Sequence, residues 1–227
     1  MQRVRLRFGR EGPVRFISHL DTVRCWDRVF RRAFIPLEYS QGFTPHPKIA
    51  VAAPLAVGFT SEAELMDIWV RKWLPPESVV MMARSQLPVG FVLFDAWEVP
   101  TGAPALQTMI RMARYCCVAW HDGGVSGAVD ATRAFLQAET AIHQFVRGDE
   151  VKSTDLRPHV RTITVEQRPD DWCSIEMLVN IGQEGSARPD HVLAALGFSA
   201  PEKSIHRLEL LFQGEDCQSV QECSHSS

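Results

Sequence analysis

The residues of this chain best suited to chemistry crowd into positions 15–62. Ser18-His19-Leu20-Asp21 opens a run whose apolar positions Leu20, Val23, Trp26, Phe30 and Phe34 recur at helical spacing. Ser18 and Asp21 have the types and separation of a capping box, with Asp21 also favoured by the positive end of the helix dipole. His19 is left over, in a first turn where an imidazole can accept a proton or hydrogen-bond a ligand. A second histidine, His46, stands between two prolines in Tyr39-Ser-Gln-Gly-Phe-Thr-Pro-His-Pro-Lys48. The prolines push Thr44 and His46 towards extended backbone, so the imidazole is presented from a stiff segment. Brought to one substrate, His19 and His46 would form an acid–base pair, with Asp21 orienting one ring.

The same region suits a polyanion. Arg24, Arg28 and Arg31 fall at i, i+4 and i+7 of the predicted helix, away from Val23, Trp26 and Phe30, with Arg32 beside them. Guanidinium matches phosphate bidentately, and every basic residue of this helix is arginine. The bland alternative is a solvated face partly neutralised by Asp21 and Asp27. In the proline loop, Gly42 permits a tight turn, Tyr39 and Phe43 offer flat faces on which a base can stack, and Gln41 and Lys48 lie beside them. A proline-stiffened structural turn is the competing reading there.

Composition bounds these readings. At about 100–200 residues per domain, 227 residues suit two small domains. With 45% hydrophobic and 22% charged residues the chain can bury a core. No apolar stretch approaches the roughly 18 residues of a membrane span, and Met1-Gln-Arg-Val-Arg-Leu-Arg-Phe8 alternates where a signal peptide would be continuously apolar. A soluble cytoplasmic protein is expected, with no membrane partner. The six cysteines include no Cys-x-x-Cys pair, so reduced thiols and no metal site are expected. Cys217, Cys223 and His225 in the polar tail come closest to ligand spacing. The net charge of −3 divides unevenly: residues 1–100 carry 13 Lys+Arg against 10 Asp+Glu, and residues 101–227 carry 11 against 17. The common nucleotide-loop, dinucleotide, hydrolase-elbow and zinc-protease motifs are missing.

The elements that must position these residues follow from periodicity. Residues 2–8 alternate as a strand with Arg3, Arg5 and Arg7 on one face. The helix from Ser18, strands at 49–53 and 65–70, a helix at 76–87 and a strand at 91–99 then give the order β-α-β-β-α-β. Pro100-Thr-Gly-Ala-Pro-Ala105 reads as a linker. Beyond it come a strand at 109–119, a helix at 129–138, strands at 142–147, 162–167 and 172–181, a helix at 189–196 and a strand at 205–212. With one extra segment near Asp155–His159, that order repeats. The expected fold class is α+β, with two ferredoxin-like units related by diverged duplication. Their bounds are 1–100 and 101–213, followed by a disordered tail at 214–227.

Several motifs together resemble a known family. Gly12-Pro-Val-Arg-Phe-Ile-Ser-His-Leu-Asp21, Arg28-Val-Phe-Arg-Arg32, Tyr39-Ser-Gln-Gly-Phe-Thr-Pro-His-Pro47, Ala53-Pro-Leu-Ala-Val-Gly58 and Ser61-Glu-Ala-Glu64 are similar to the radical SAM-linked protein family. Asp155-Leu-Arg-Pro158 looks like its downstream motif, so the likeness spans about residues 1–212. The resemblance implies a domain of unknown function fused to, or encoded beside, a cobalamin-type radical SAM protein, often near a ribonuclease of the E/G type. It supplies no catalytic residues. This chain has neither the Cys-x-x-x-Cys-x-x-Cys cluster motif nor the Asp-x-His-x-x-Gly cobalamin motif, so iron–sulfur cluster, SAM and cobalamin are expected only on the partner.

Three functions follow. In the first, the chain is an accessory module that holds RNA, tRNA-like in form, for a separate radical SAM enzyme in RNA modification or processing. Its surface would comprise Arg24, Arg28, Arg31, Arg32, Tyr39, Gln41, Gly42, Phe43, His46 and Lys48. The second is an RNA-directed acid–base enzyme using His19, Asp21 and His46. The third is a protein-docking subunit without nucleic acid, using exposed strand edges. Asp155 is expected to pair with Arg157 or to cap a turn before Pro158, and Glu62 and Glu64 to answer arginines across the sheet.

Overall fold

The structure, a computed structural model, describes residues 1–182 and 185–212. The first half runs β1 (Gln2–Arg10), α1 (His19–Arg32), β2 (Ile49–Val51), β3 (Thr60–Val70), α2 (Pro76–Arg84) and β4 (Phe91–Val99). The second runs α3 (Leu106–Met109), β5 (Ile110–His121), α4 (Gly124–Gln137), β6 (Ile142–Arg147), β7 (Glu150–Asp155), β8 (Val160–Gln167), β9 (Trp172–Asn180), α5 (Pro189–Ala195) and β10 (Phe198–Phe212). This is an α+β chain with one large, mostly antiparallel sheet ordered β4-β1-β3-β10-β5-β9-β8, with β2 also paired to β3. The halves meet where β3 and β10 run parallel, in register only at His206↔Thr60 and Arg207↔Ser61.

Each half has its own apolar cluster. In the first, Trp26 of α1 packs 5.0 Å from Phe8 and 5.5 Å from Phe91, ring centroid to centroid, with Val79 and Ala83 of α2 in the same core. In the second, Ala128 and Phe135 of α4 and Val192 and Leu193 of α5 cover β5, β8, β9 and β10. Ala52, Leu55, Phe59 and Leu65 belong to the first half in sequence but lie in the second half's core. The halves are therefore joined by shared packing as well as by strand pairing.

Several expectations need correction. The alternation of β1 exposes Arg7 but not Arg3 or Arg5. Arg3 and Arg5 are 2% and 5% exposed, because Asp67 stands opposite Arg5 on β3 and both guanidiniums bond its carboxylate at 2.6–3.1 Å. Arg3 also donates to the carbonyls of Ala103 and Pro104, so the proline-rich stretch is tied to β1. β2 ends at Val51, and Ala52–Phe59 forms a loop. β7 was not anticipated, since Glu150-Val-Lys-Ser-Thr-Asp155 has no apolar alternation; it pairs only with β6 in a separate hairpin. β10 begins at Phe198, seven residues before the expected start, with register shifts that interrupt its pattern. The tail from Gly214 lies outside the described residues, as do Cys217, Cys223 and His225.

The buried face of α1 is Thr22, Trp26, Val29 and Phe30. Leu20 and Phe34, expected on it, are 64% and 88% exposed. Leu20 lies about 200° around the helix from Thr22, at about 100° per residue. Phe34 ends the helix in the left-handed region at φ 56°, a conformation costing an L-residue roughly 1–2 kcal/mol. With so little burial to offset that strain, Phe34→Gly should raise stability by about 0.5–1 kcal/mol. In a chain this size that is a gain of roughly 1–4 °C in Tm, measurable by thermal unfolding.

Candidate functional site

Two places gather the polar groups of this chain. The first is the surface anticipated from sequence. Ser18 caps α1: its hydroxyl accepts from the Asp21 amide at 3.1 Å and donates to the Asp21 carboxylate at 2.7 Å. That bond, with help from Arg24, holds the Asp21 carboxyl below the usual carboxylate range. Asp21 is thereby committed to Ser18 and Arg24 and orients neither imidazole. His19 is half-buried and His46 exposed, and no hydrogen bond or ring contact joins them.

The arginine face is partly neutralised within the helix. Arg24 pairs with Asp21 and Arg31 with Asp27, both at 3.1 Å. Arg28 and Arg32 are exposed and pair with no carboxylate among the described residues. Glu62 and Glu64 answer other partners: Glu62 lies 3.9 Å from His206, and Glu64 bonds Arg207.

The proline loop is braced at its base. The Glu38 amide donates to Trp69, Lys48 to Glu38, and Ser40 to His46, while the Ser40 hydroxyl accepts from the His46 amide. Tyr39 bridges to Pro47, and Arg71 lies 5.7 Å over its ring, so Tyr39 serves the loop's own structure. Gln41 and Phe43 are exposed at the tip, where Gly42 adopts φ 135°, a conformation L side chains rarely take. Phe43 is exposed to the full extent of its side chain.

The second place was not anticipated. A cavity of about 520 Å³ lies at the junction of the halves. The Ala52–Phe59 loop forms one wall, Gln107, Ile110 and Tyr115 another, and Ile181, Gly182, Ser186, Ala187, Arg188 and Pro189 with Arg207 close it among the described residues. Arg207 is 2% exposed; its Nε donates to the Tyr115 hydroxyl at 3.1 Å, and its Nη1 to Glu64 at 3.0 Å and the Ala53 carbonyl at 2.9 Å. Burial opposes that charge, but Glu64 and Tyr115 outweigh it and hold the guanidinium above the ordinary arginine value. Burial pushes the Tyr115 phenol up, so it stays protonated. Arg10, also 2% exposed, caps the carbonyls of Val14, Arg15 and Ile17. Burial holds its guanidinium below the ordinary arginine value, with Glu64 opposing that shift and Arg207 adding to it. At the rim, Arg188 grips Asp190 through two bonds of 3.0 and 2.8 Å.

One sequence signal could have found this site. Arg207 interrupts the apolar pattern of Ile205, Leu208 and Leu210, and a charged residue inside a strand of that type needs a buried partner. The Ala53–Gly58 motif, noted only for its family resemblance, is the cavity's wall. Asp155-Leu-Arg-Pro158 proves to be a brace: the Asp155 carboxylate accepts from the amides of Ala141 and Arg157, and the Arg157 side chain donates to the carbonyls of Leu136 and Val160. Asp155 caps a turn, as one reading expected, and forms no side-chain pair with Arg157.

Fold and site together define an α+β protein with one fused sheet and a cation-lined cavity at its seam. The chain belongs to the family described as "Uncharacterized protein conserved in bacteria (DUF2344)", whose model matches residues 3–189. No curated protein matches it. Among solved structures, a chain of the "Crystal Structure of a Cbf5-Nop10-Gar1 Complex" is similar, with a TM-score of 0.52 and 10% identity over 91% of this chain and 48% of that one. This chain thus spans about half of that neighbour, and a likeness at such identity shows the fold alone. No helix among the described residues is long and apolar enough to cross a membrane.

Removing one partner of a buried ion pair leaves an uncompensated charge and costs about 3–5 kcal/mol. Glu64→Gln would strand the buried Arg207, so it should destabilise the chain by that amount in denaturant unfolding. Glu62→Gln, which touches only His206 at longer range, should change stability by less than about 0.5 kcal/mol.

Proposed function

We propose that this chain is an accessory RNA-binding module, directed at tRNA-like RNA, that works with a separate radical SAM enzyme in RNA modification or processing. On this reading it is built from two ferredoxin-like units related by duplication, and the radical chemistry resides on the partner. The observation that carries the proposal is Phe43, held fully exposed at the tip of a braced loop that follows directly on the helix bearing the free Arg28 and Arg32. An exposed aromatic on one segment and unneutralised guanidiniums on the preceding helix are the groups that stack a base and meet a phosphate. The motif resemblance supplies the radical SAM partner by analogy. An acid–base enzyme using His19 and His46 draws no support from the geometry, because nothing links the two rings and Asp21 serves the helix cap.

A protein-docking role has one observation in its favour. The β6–β7 hairpin pairs with no other strand among the described residues and exposes Ile142, Val146 and Val151 by 61–72%. Such a hairpin suits contact with the partner enzyme in either reading.

Affinity for bulk tRNA across a salt series tests the module. Arg28→Ala/Arg32→Ala should lower the slope of log K against log salt by about 1–2, since each phosphate contact contributes roughly 0.7–0.9. Arg24→Ala should change it by less, its charge being shared with Asp21. Phe43→Ala should weaken binding by about 1–3 kcal/mol with the slope unchanged, the loss of one stacked base. Absence of binding at low salt would overturn the RNA reading, and a complex with the partner that survives nuclease would favour docking.

A further inference from the structure

We infer that the seam cavity is a binding site for a small organic anion, a compound with an apolar body and one carboxylate or phosphate head. The inference starts from a charge imbalance. Arg10, Glu64 and Arg207 are each 2% exposed; Glu64 bonds Arg207, whereas Arg10 bonds three backbone carbonyls and pairs with no carboxylate among the described residues. One positive charge is left inside the protein. Such a charge is costly unless an anion answers it.

The cavity is where an anion would arrive. Arg207 lines it with a side chain 97% buried, and its Nη2 has no hydrogen-bond partner among the described residues. The Tyr115 hydroxyl accepts from Arg207 Nε and still has its own proton to donate. Arg188 and the Gln107 side chain add further donors at the wall, and no carboxylate is among the described residues that line it. The remaining walls, including Leu55, Phe59, Ile110 and Pro189, are apolar. Donors of one sign at one place, with apolar surface around them, select an amphipathic anion over a cation or a sugar. A volume of about 520 Å³ admits a body of one or two rings. This site is separate from the Phe43 loop and does not depend on the RNA reading.

Titration of the full chain with benzoate, phenyl phosphate and the neutral isostere benzamide, followed by ligand-observed NMR, tests the proposal without nucleic acid. Benzoate or phenyl phosphate should bind at least about tenfold more tightly than benzamide, the advantage of a charge-assisted bond in a buried site. Which of the two binds more tightly assigns the head group. Arg207→Met should abolish the preference for the anion. Because that substitution also strands Glu64, Ala56→Trp provides a second variant: it fills the cavity, leaves the ionic network untouched, and should remove binding of both probes. Benzamide binding as tightly as the anions would overturn the proposal, as would anion binding that survives Ala56→Trp in a folded protein.

Discussion

The structure depends on one buried carboxylate. Glu64 lies on β3 three residues beyond the two pairs at which β3 and β10 meet among the described residues, and it bonds Arg207 across that seam while Arg10 approaches from β1. A parallel ladder two residues long contributes little by itself. What holds the halves together is the side-chain traffic around it: Arg207 to Glu64, Ala53 and Tyr115, Thr60 to His206 at 2.8 Å, Gln107 to the Val51 carbonyl at 2.8 Å, and the apolar residues of the Ala52–Phe59 loop inside the second core. The same groups make the cavity, because an arginine anchored at the seam cannot also fill the space in front of it. Architecture and candidate chemistry thus share one origin.

Charge placement tells a related story. Several of the arginines that make the first 32 residues basic are committed to partners within the fold. Arg3 and Arg5 clamp Asp67, Arg7 pairs with Asp95 at 2.7 Å, and Arg10 caps the turn before α1. Among the arginines of α1, Arg28 and Arg32 pair with no carboxylate among the described residues. A basic segment is a solvated face only if its counter-charges lie elsewhere, and here Asp67 and Glu64 are brought opposite by strand pairing sixty residues away in sequence.

What was legible in the sequence follows from range. The capping box of Ser18 and Asp21, the helix at α1, the stiff Tyr39–Lys48 loop and the strands of alternating pattern are set by neighbours a few residues apart, and periodicity exposes them. β7, the long start of β10 and the burial of Arg3 and Arg5 depend on register between distant strands, which no local pattern encodes. The cavity escaped for the same reason: Ala53, Tyr115, Arg188 and Arg207 lie on four separate segments. Arg207 inside an apolar strand was the one local sign of it. Leu20 and Phe34 misled because they match helical spacing loosely, while the buried stripe runs through Thr22, Trp26 and Val29.

The central claim is that the Glu64 network makes one cooperative unit of the two halves. Native-state hydrogen exchange on the wild type and on Glu64→Gln measures this directly, by following amides of β1 and β9, strands that do not touch. If the network couples the halves, protection in both strands falls together and by the same amount in the variant. Loss of protection confined to one strand, with the other unchanged, would contradict the account.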